Sequence, residues 1–146
     1  MKQVKAVLVG AGNRGCVYAD YSLKHPDELQ IVGVVDVSEL RRKEAAARYG
    51  VPAENTYLSL DAFLSAKISC DFVINATMDE LHYETAKDII LAGYDMLMEK
   101  PIVPYQDQSR MQPKQRQYDS PLLLASEILR LIALYQKQAF ANVEKK

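Results

Sequence analysis

Apolar residues fall in short, nearly continuous runs, and amphipathic stretches separate those runs in regular alternation. Val4 to Val9 is such a run, rich in valine and ending at Gly10, and it predicts a strand over 4–9. Residues 13–24 carry a helical pattern, stopped by His25-Pro26 because the residue before proline avoids the helical region. Ile31-Val32-Gly33-Val34-Val35 predicts a second strand, and its lack of polar alternation fits a parallel sheet covered on both faces. Ser38 is placed to cap a helix running through Tyr49, with Gly50 just past its end and Pro52 beyond. A weak third strand is expected at 56–57 and a short helix at 59–64. A strand over 71–76, a helix over 81–91 closed by Gly93, and a strand over 94–98 complete the series. This spacing implies right-handed βαβ crossovers, and so an α/β fold with a doubly wound parallel sheet of the Rossmann type.

The pattern changes near residue 104. All six glycines lie at or before Gly93, whereas seven of nine glutamines lie at or after Gln106. Residues 1–104 hold 11 basic and 15 acidic groups, and 105–146 hold 7 and 4. The chain therefore divides into a sheet domain at 1–104 and, at 105–146, a polar linker with an amphipathic C-terminal helix. After Pro104 no crossover helix and sixth strand are expected. Ser120-Pro121 instead opens a predicted helix over 122–140, with Leu124, Ile128, Leu131, Ile132 and Tyr135 along one face. Such a stripe has to be covered. Packing within the chain is preferred, a homodimer through this helix is the alternative, and a membrane-surface role comes last.

Bulk properties narrow the field. A chain of 146 residues, 49% hydrophobic, can bury one real core. Its net charge of -1 argues against a nucleic-acid partner held by a strong positive field. Two cysteines make no disulfide framework; Cys16 and Cys70 read as small packed residues. No four Cys or His residues lie at zinc spacing, so no metal site is predicted. No apolar run reaches the ~18 residues of a spanning helix, and the N-terminus lacks a signal-peptide pattern. Together these predict a cytoplasmic protein without a membrane partner.

Gly10-Ala11-Gly12-Asn13-Arg14-Gly15 is a G-x-G-x-x-G turn between the first strand and the first helix. Gly10 permits the turn, Gly12 admits a pyrophosphate to the backbone, and Gly15 lets the helix pack on the strand. Amides of Asn13 and its neighbours at the helix start then face the phosphates, and Arg14 adds charge. Asp36, at the end of the second strand, is spaced to accept bonds from the adenosine ribose hydroxyls, which favours NAD over NADP. Ser38 and Arg41, with Arg42, leave NADP open, because a serine and arginines beyond the acid suit a 2′-phosphate. The plainer reading has Ser38 capping the helix and the arginines on its wet face.

The second half of the sheet carries Val73-Ile74-Asn75-Ala76-Thr77-Met78-Asp79-Glu80-Leu81-His82, then Ala92-Gly93 and Glu99-Lys100-Pro101. These stretches resemble the glucose–fructose oxidoreductase, inositol dehydrogenase and MocA (Gfo/Idh/MocA) family of NAD(P)-dependent oxidoreductases. The resemblance covers about residues 3–103, and Glu99-Lys100-Pro101 at its distance is the most specific part. It implies that Thr77 and His82 line the cofactor side, with Glu99, Lys100 and Pro101 near the nicotinamide. It makes Lys100 the catalytic candidate, an ammonium that places the nicotinamide and polarises the substrate oxygen. Met78 stands where the family has proline and Asp79 where it has asparagine; Asp79 adds negative charge beside the cofactor.

The family's second domain supplies most of the substrate pocket, and its histidine acid/base has no counterpart here after His82. The expected function is therefore the nucleotide-binding domain of an oxidoreductase. Its chemistry is hydride transfer to or from a sugar, polyol or similar small hydroxy substrate, incomplete in this chain alone. The alternative is a non-catalytic dinucleotide sensor or regulatory module, which binds cofactor without turnover.

Overall fold

A computed structural model describes residues 3–100. The elements run β1 (Val4–Val9), α1 (Asn13–Ala19), α2 (Tyr21–Lys24), β2 (Leu29–Val35), α3 (Glu39–Tyr49), β3 (Thr56–Tyr57), α4 (Leu60–Ala66), β4 (Phe72–Asn75), α5 (His82–Leu91) and β5 (Asp95–Met98). Single 3-10 turns at Ala53–Asn55 and Asp79–Leu81 precede β3 and α5. The five strands form one parallel sheet in the order β3-β2-β1-β4-β5. The chain thus winds outward from β1 in one direction and then returns to start beside β1 in the other. That reversal is the switch point of a Rossmann fold, and it opens a crevice at the carboxyl ends of β1 and β4.

Both faces of the sheet are covered, which is why its strands lack polar alternation. Ala6, Leu8, Ile31, Val34 and Ile74 pack toward the helices α1 and α3 through Ala19 and Ala45. Val7, Val9, Val35 and Val73 pack on the other face against Phe63 of α4 and Ile89 of α5. Leu8, Phe63, Ile74 and Ile89 are essentially inaccessible to water. Burying each side chain of this size stabilises by about 1.5–3 kcal/mol.

A cap was expected at Ser38, and the structure shows one there and a second at Ser59. Ser38 Oγ accepts the Arg41 amide and Ser59 Oγ accepts the Ala62 amide, at 3.4 and 3.2 Å. The helix expected over 13–24 divides at Asp20. There the Leu23 N–H bonds to the carbonyl of Asp20, three residues back. The Asp20 carboxylate is meanwhile held by Arg48 at 2.7 and 2.8 Å and by the Tyr49 hydroxyl at 2.9 Å. Both partners belong to α3, so the break serves contact between helices and leaves no mark in the local pattern.

Among the described residues no helix is long and apolar enough to cross a membrane. Pro101, the polar stretch from 105, the predicted helix over 122–140 and the homodimer assigned to it lie outside the described residues.

Candidate functional site

Register brings the ends of four strands level. Val9 pairs with Val35 and with Asn75, and Asn75 pairs with Met98. The next residue of each strand, Gly10, Asp36, Ala76 and Glu99, therefore stands along one edge. The backbone ladder continues into that edge: Gly10 donates to Val35, Ala76 to Val9 and Glu99 to Asn75, at 2.8–3.0 Å. Asp36 donates to Tyr57 at 3.2 Å.

The three motif glycines differ physically. Gly10 has φ +89, and a Cβ there would lie 2.4 Å from the carbonyl oxygen of Ala76. At Gly15 a Cβ would lie 2.0 Å from the carbonyl oxygen of Gly10. A side chain at either position would collide with main chain, so the fold itself requires glycine at both. Gly12 has extended backbone, φ −75 and ψ −177, and a Cβ there would meet nothing within 4 Å. No described atom excludes a side chain here, and the described residues account for glycine only as a favoured N-cap of α1.

A crevice of about 350 Å³ opens over this edge, within the size range of small-molecule sites. Gly10, Gly12, Asp36, Arg41 and Thr77 line it, together with Val37, Leu58, Ser59, Leu60, Met78, Leu81 and Thr85. Of the apolar walls, sequence reasoning singled out Met78 and missed Val37 and Leu58. Val37 is 80% exposed, Met78 68% and Leu58 60%, and each lies in a segment that follows a strand. The available signal was an apolar residue in a loop at the carboxyl end of a strand, where a solvated side chain is expected.

At the end of β2, Asp36 Oδ2 accepts the Ala11 amide and Oδ1 accepts the Ser38 amide, both at 2.8 Å. Arg42 donates to the Asp36 carbonyl at 2.6 Å, and Ser38 caps α3. Of the residues weighed for a 2′-phosphate, Arg41 borders the crevice while Ser38 and Arg42 are engaged beside it.

On the opposite side, polar side chains form a network. The Asn75 amide donates to Thr85 Oγ1 at 2.9 Å, and Thr77 Oγ1 donates to Asn75 Oδ1 at 3.0 Å. Thr85 Oγ1 in turn donates to the Leu81 carbonyl at 2.8 Å. His82 is fully buried and stands behind the crevice, its Nε2 3.0 Å from the Thr77 carbonyl oxygen. A carbonyl can only accept, so Nε2 carries the proton, and the ring holds the Thr77 loop from behind. Asp79 is exposed in the 3-10 turn that leads into α5.

Glu99 is buried at the end of β5, where the Tyr18 hydroxyl donates to its carboxylate and Arg14 Nε lies 3.8 Å away. The Tyr18 bond holds this carboxyl below the usual range against the opposing effect of burial, with help from the Lys100 backbone amide and Arg14. The same bond pushes the Tyr18 phenol up. Arg14 thus reaches across from the glycine turn to β5, and Asn13 beside it is exposed. Lys100 is exposed immediately beyond Glu99. Neither Glu99 nor Lys100 is among the residues that line the crevice itself.

A family model described as the oxidoreductase family with an NAD-binding Rossmann fold, Gfo/Idh/MocA, matches residues 4–124. The chain belongs to this family. No curated protein matches the chain. Among solved structures, the WlbA dehydrogenase of Chromobacterium violaceum, in complex with NADH and UDP-GlcNAcA, is 22% identical with a TM-score of 0.73. That match covers 93% of this chain and 34% of the dehydrogenase. Apo scyllo-inositol dehydrogenase of Lactobacillus casei is 18% identical, with a TM-score of 0.71, and 92% and 34% of the two chains are covered. An NAD-binding protein from Listeria innocua is 33% identical over 70% of this chain and 28% of that one, with a TM-score of 0.57. The chain spans about a third of the length of these proteins.

The family's cofactor is NAD, and the site fits it. Gly12 leaves its backbone uncovered where a pyrophosphate needs to approach, and Asp36 borders the crevice with acceptor capacity beyond its two backbone bonds.

Proposed function

We propose that this chain supplies the dinucleotide-binding part of an oxidoreductase acting on the hydroxyl-bearing carbon of a sugar, polyol or similar small molecule. The observation that carries the reading is Gly12, a glycine that no steric contact among the described residues requires, lining the same crevice as Asp36. Bound NAD supplies the hydride acceptor, or as NADH the donor. The protein's part is binding and orientation. The main-chain N–H groups from Gly12 to Gly15 hold the pyrophosphate, and Asp36 accepts from the adenosine ribose. Val37 and Leu58 exclude water from the adenosine end, and Met78 walls the crevice from the β4 side. Thr77 and Glu99 shape the nicotinamide end. The Lys100 ammonium, one residue beyond Glu99, donates to the substrate oxygen as negative charge develops on it. Asp36 also selects NAD, since its carboxylate repels a 2′-phosphate.

Calorimetry with NADH on the 146-residue chain and its Gly12→Val variant tests this. A valine at extended backbone with open space leaves folding intact and fills the pyrophosphate position. Affinity is expected to fall at least about tenfold, roughly 1.4 kcal/mol, with the melting temperature lowered by no more than the loss of a favoured N-cap. Equal NADH affinity in the two proteins refutes the reading, and tighter binding of NADPH than NADH refutes the selectivity assigned to Asp36.

A further inference from the structure

We infer that Asp36 is also the positioning residue of the glycine turn, shaping the pyrophosphate side of the crevice through the Ala11 amide. The inference rests on the dinucleotide reading above and adds a task that ribose binding does not require. Asp36 is 8% exposed, and its two carboxylate oxygens accept different main-chain donors. Oδ2 takes the Ala11 N–H from the turn, and Oδ1 takes the Ser38 N–H from the start of α3. These two donors and burial hold the carboxylate in place, and the Asp36 backbone is held as well. Its N–H donates to Tyr57, and its carbonyl accepts from Arg42.

The turn needs such a fixture at one place. On its strand side Gly10 is set by the Val35 carbonyl and by contact with Ala76. On its helix side the Cys16 N–H bonds to the Gly12 carbonyl at 3.0 Å. Between these anchors the Asp36 bond sets the peptide plane that joins Gly10 to Ala11, one residue before the open Gly12. A charged acceptor makes the stronger kind of hydrogen bond. A carboxylate offers about four lone-pair sites. The two backbone bonds leave acceptor capacity for ribose hydroxyls, so both tasks can run together.

The two tasks separate by ligand. ADP carries the ribose hydroxyls, and 2′,3′-dideoxy-ADP lacks them while keeping the pyrophosphate. In calorimetry, Asp36→Ala is expected to weaken dideoxy-ADP about tenfold, the order for losing a bond to a charged acceptor, and to weaken ADP further. Asp36→Asn keeps one side-chain oxygen and falls between. In the nucleotide-free protein, amide hydrogen exchange at Ala11 and Ser38 should quicken in Asp36→Ala while β1 and β4 stay protected. That local pattern distinguishes a fixture of the turn from general loosening.

Unchanged dideoxy-ADP affinity with weakened ADP overturns the inference, because Asp36 then acts on ribose alone. Should Asp36→Ala not fold, the same two readouts on Asp36→Asn decide. A wild-type chain that binds neither nucleotide defeats the proposed function. In that case exchange still decides the inference, and unaltered Ala11 protection in the variants overturns it.

Discussion

The side of the crevice formed by β1, α1 and β2 is shaped mainly by main chain, whereas the side that follows β4 is held in place by a network of polar side chains. On the first side, Gly10, Gly12 and Gly15 act by the Cβ atoms they lack, and Asp36 spends both carboxylate oxygens on backbone amides. On the second, Asn75, Thr77, Thr85 and His82 hold the loop through their own functional groups. The difference teaches what each side tolerates. A main-chain surface fails when atoms are added, and a side-chain network fails when a particular donor or acceptor is removed.

The largest effect is expected on the main-chain side. Gly15→Ala drives a methyl into the Gly10 carbonyl, which is backbone and cannot rotate away. Denaturant unfolding should show a loss of at least about 3 kcal/mol, or the protein should not accumulate in folded form. Gly12→Ala is the matched control and should lose no more than about 1 kcal/mol, the cost of a poorer N-cap. Equal losses in the two variants would break the distinction between glycines the fold requires and the one it does not.

A smaller effect is expected on the side-chain side. Thr85→Val keeps the shape of the side chain and removes the hydroxyl, leaving the buried Asn75 amide with only the weak Met96 sulfur acceptor at 3.8 Å. An unsatisfied buried donor costs roughly 1–3 kcal/mol, whereas Thr85→Ser, which keeps the hydroxyl, should cost less. If valine and serine prove equally stable at this position, the network is not what holds the loop.

The smallest effect sharpens the junction between the two sides. Tyr18 and Arg14 come from the first side and Glu99 from the second, and their contact holds the Glu99 carboxyl below its ordinary 4.5. A depressed folded value contributes stability that is fully present above about 4.5 and is lost as pH falls through the folded value. Glu99→Gln should therefore melt lower than the parent at neutral pH, with the gap narrowing in acid. A gap that is constant with pH would show that the ionised carboxylate contributes nothing to joining the two sides.

Much of the fold was legible in sequence because its signals are local. A parallel strand covered on both faces is a continuous apolar run, so β1, β2 and β4 stand out in any short window. Ser38 announced the start of α3 because a cap acts within three residues. The division of the first helix at Asp20 was not legible, since the groups that hold it, Arg48 and Tyr49, lie 28 and 29 residues away. The burial of His82 was not legible either. The structure buries it behind the Thr77 loop, where packing of α5 on the sheet decides its direction.

What the sequence by itself determined is the strand–helix alternation, the glycine-rich turn after β1 and the acid at the end of β2. Each of these is written within a few consecutive residues and acts through backbone preference or burial. Tertiary structure alone decided which glycines the fold requires, what Asp36 holds, and which apolar residues wall the crevice. Those properties depend on atoms brought together from distant parts of the chain, such as Gly10 against Ala76 and Asp36 against Ala11. A local pattern specifies the element, whereas the packing of elements specifies which atoms an element leaves uncovered.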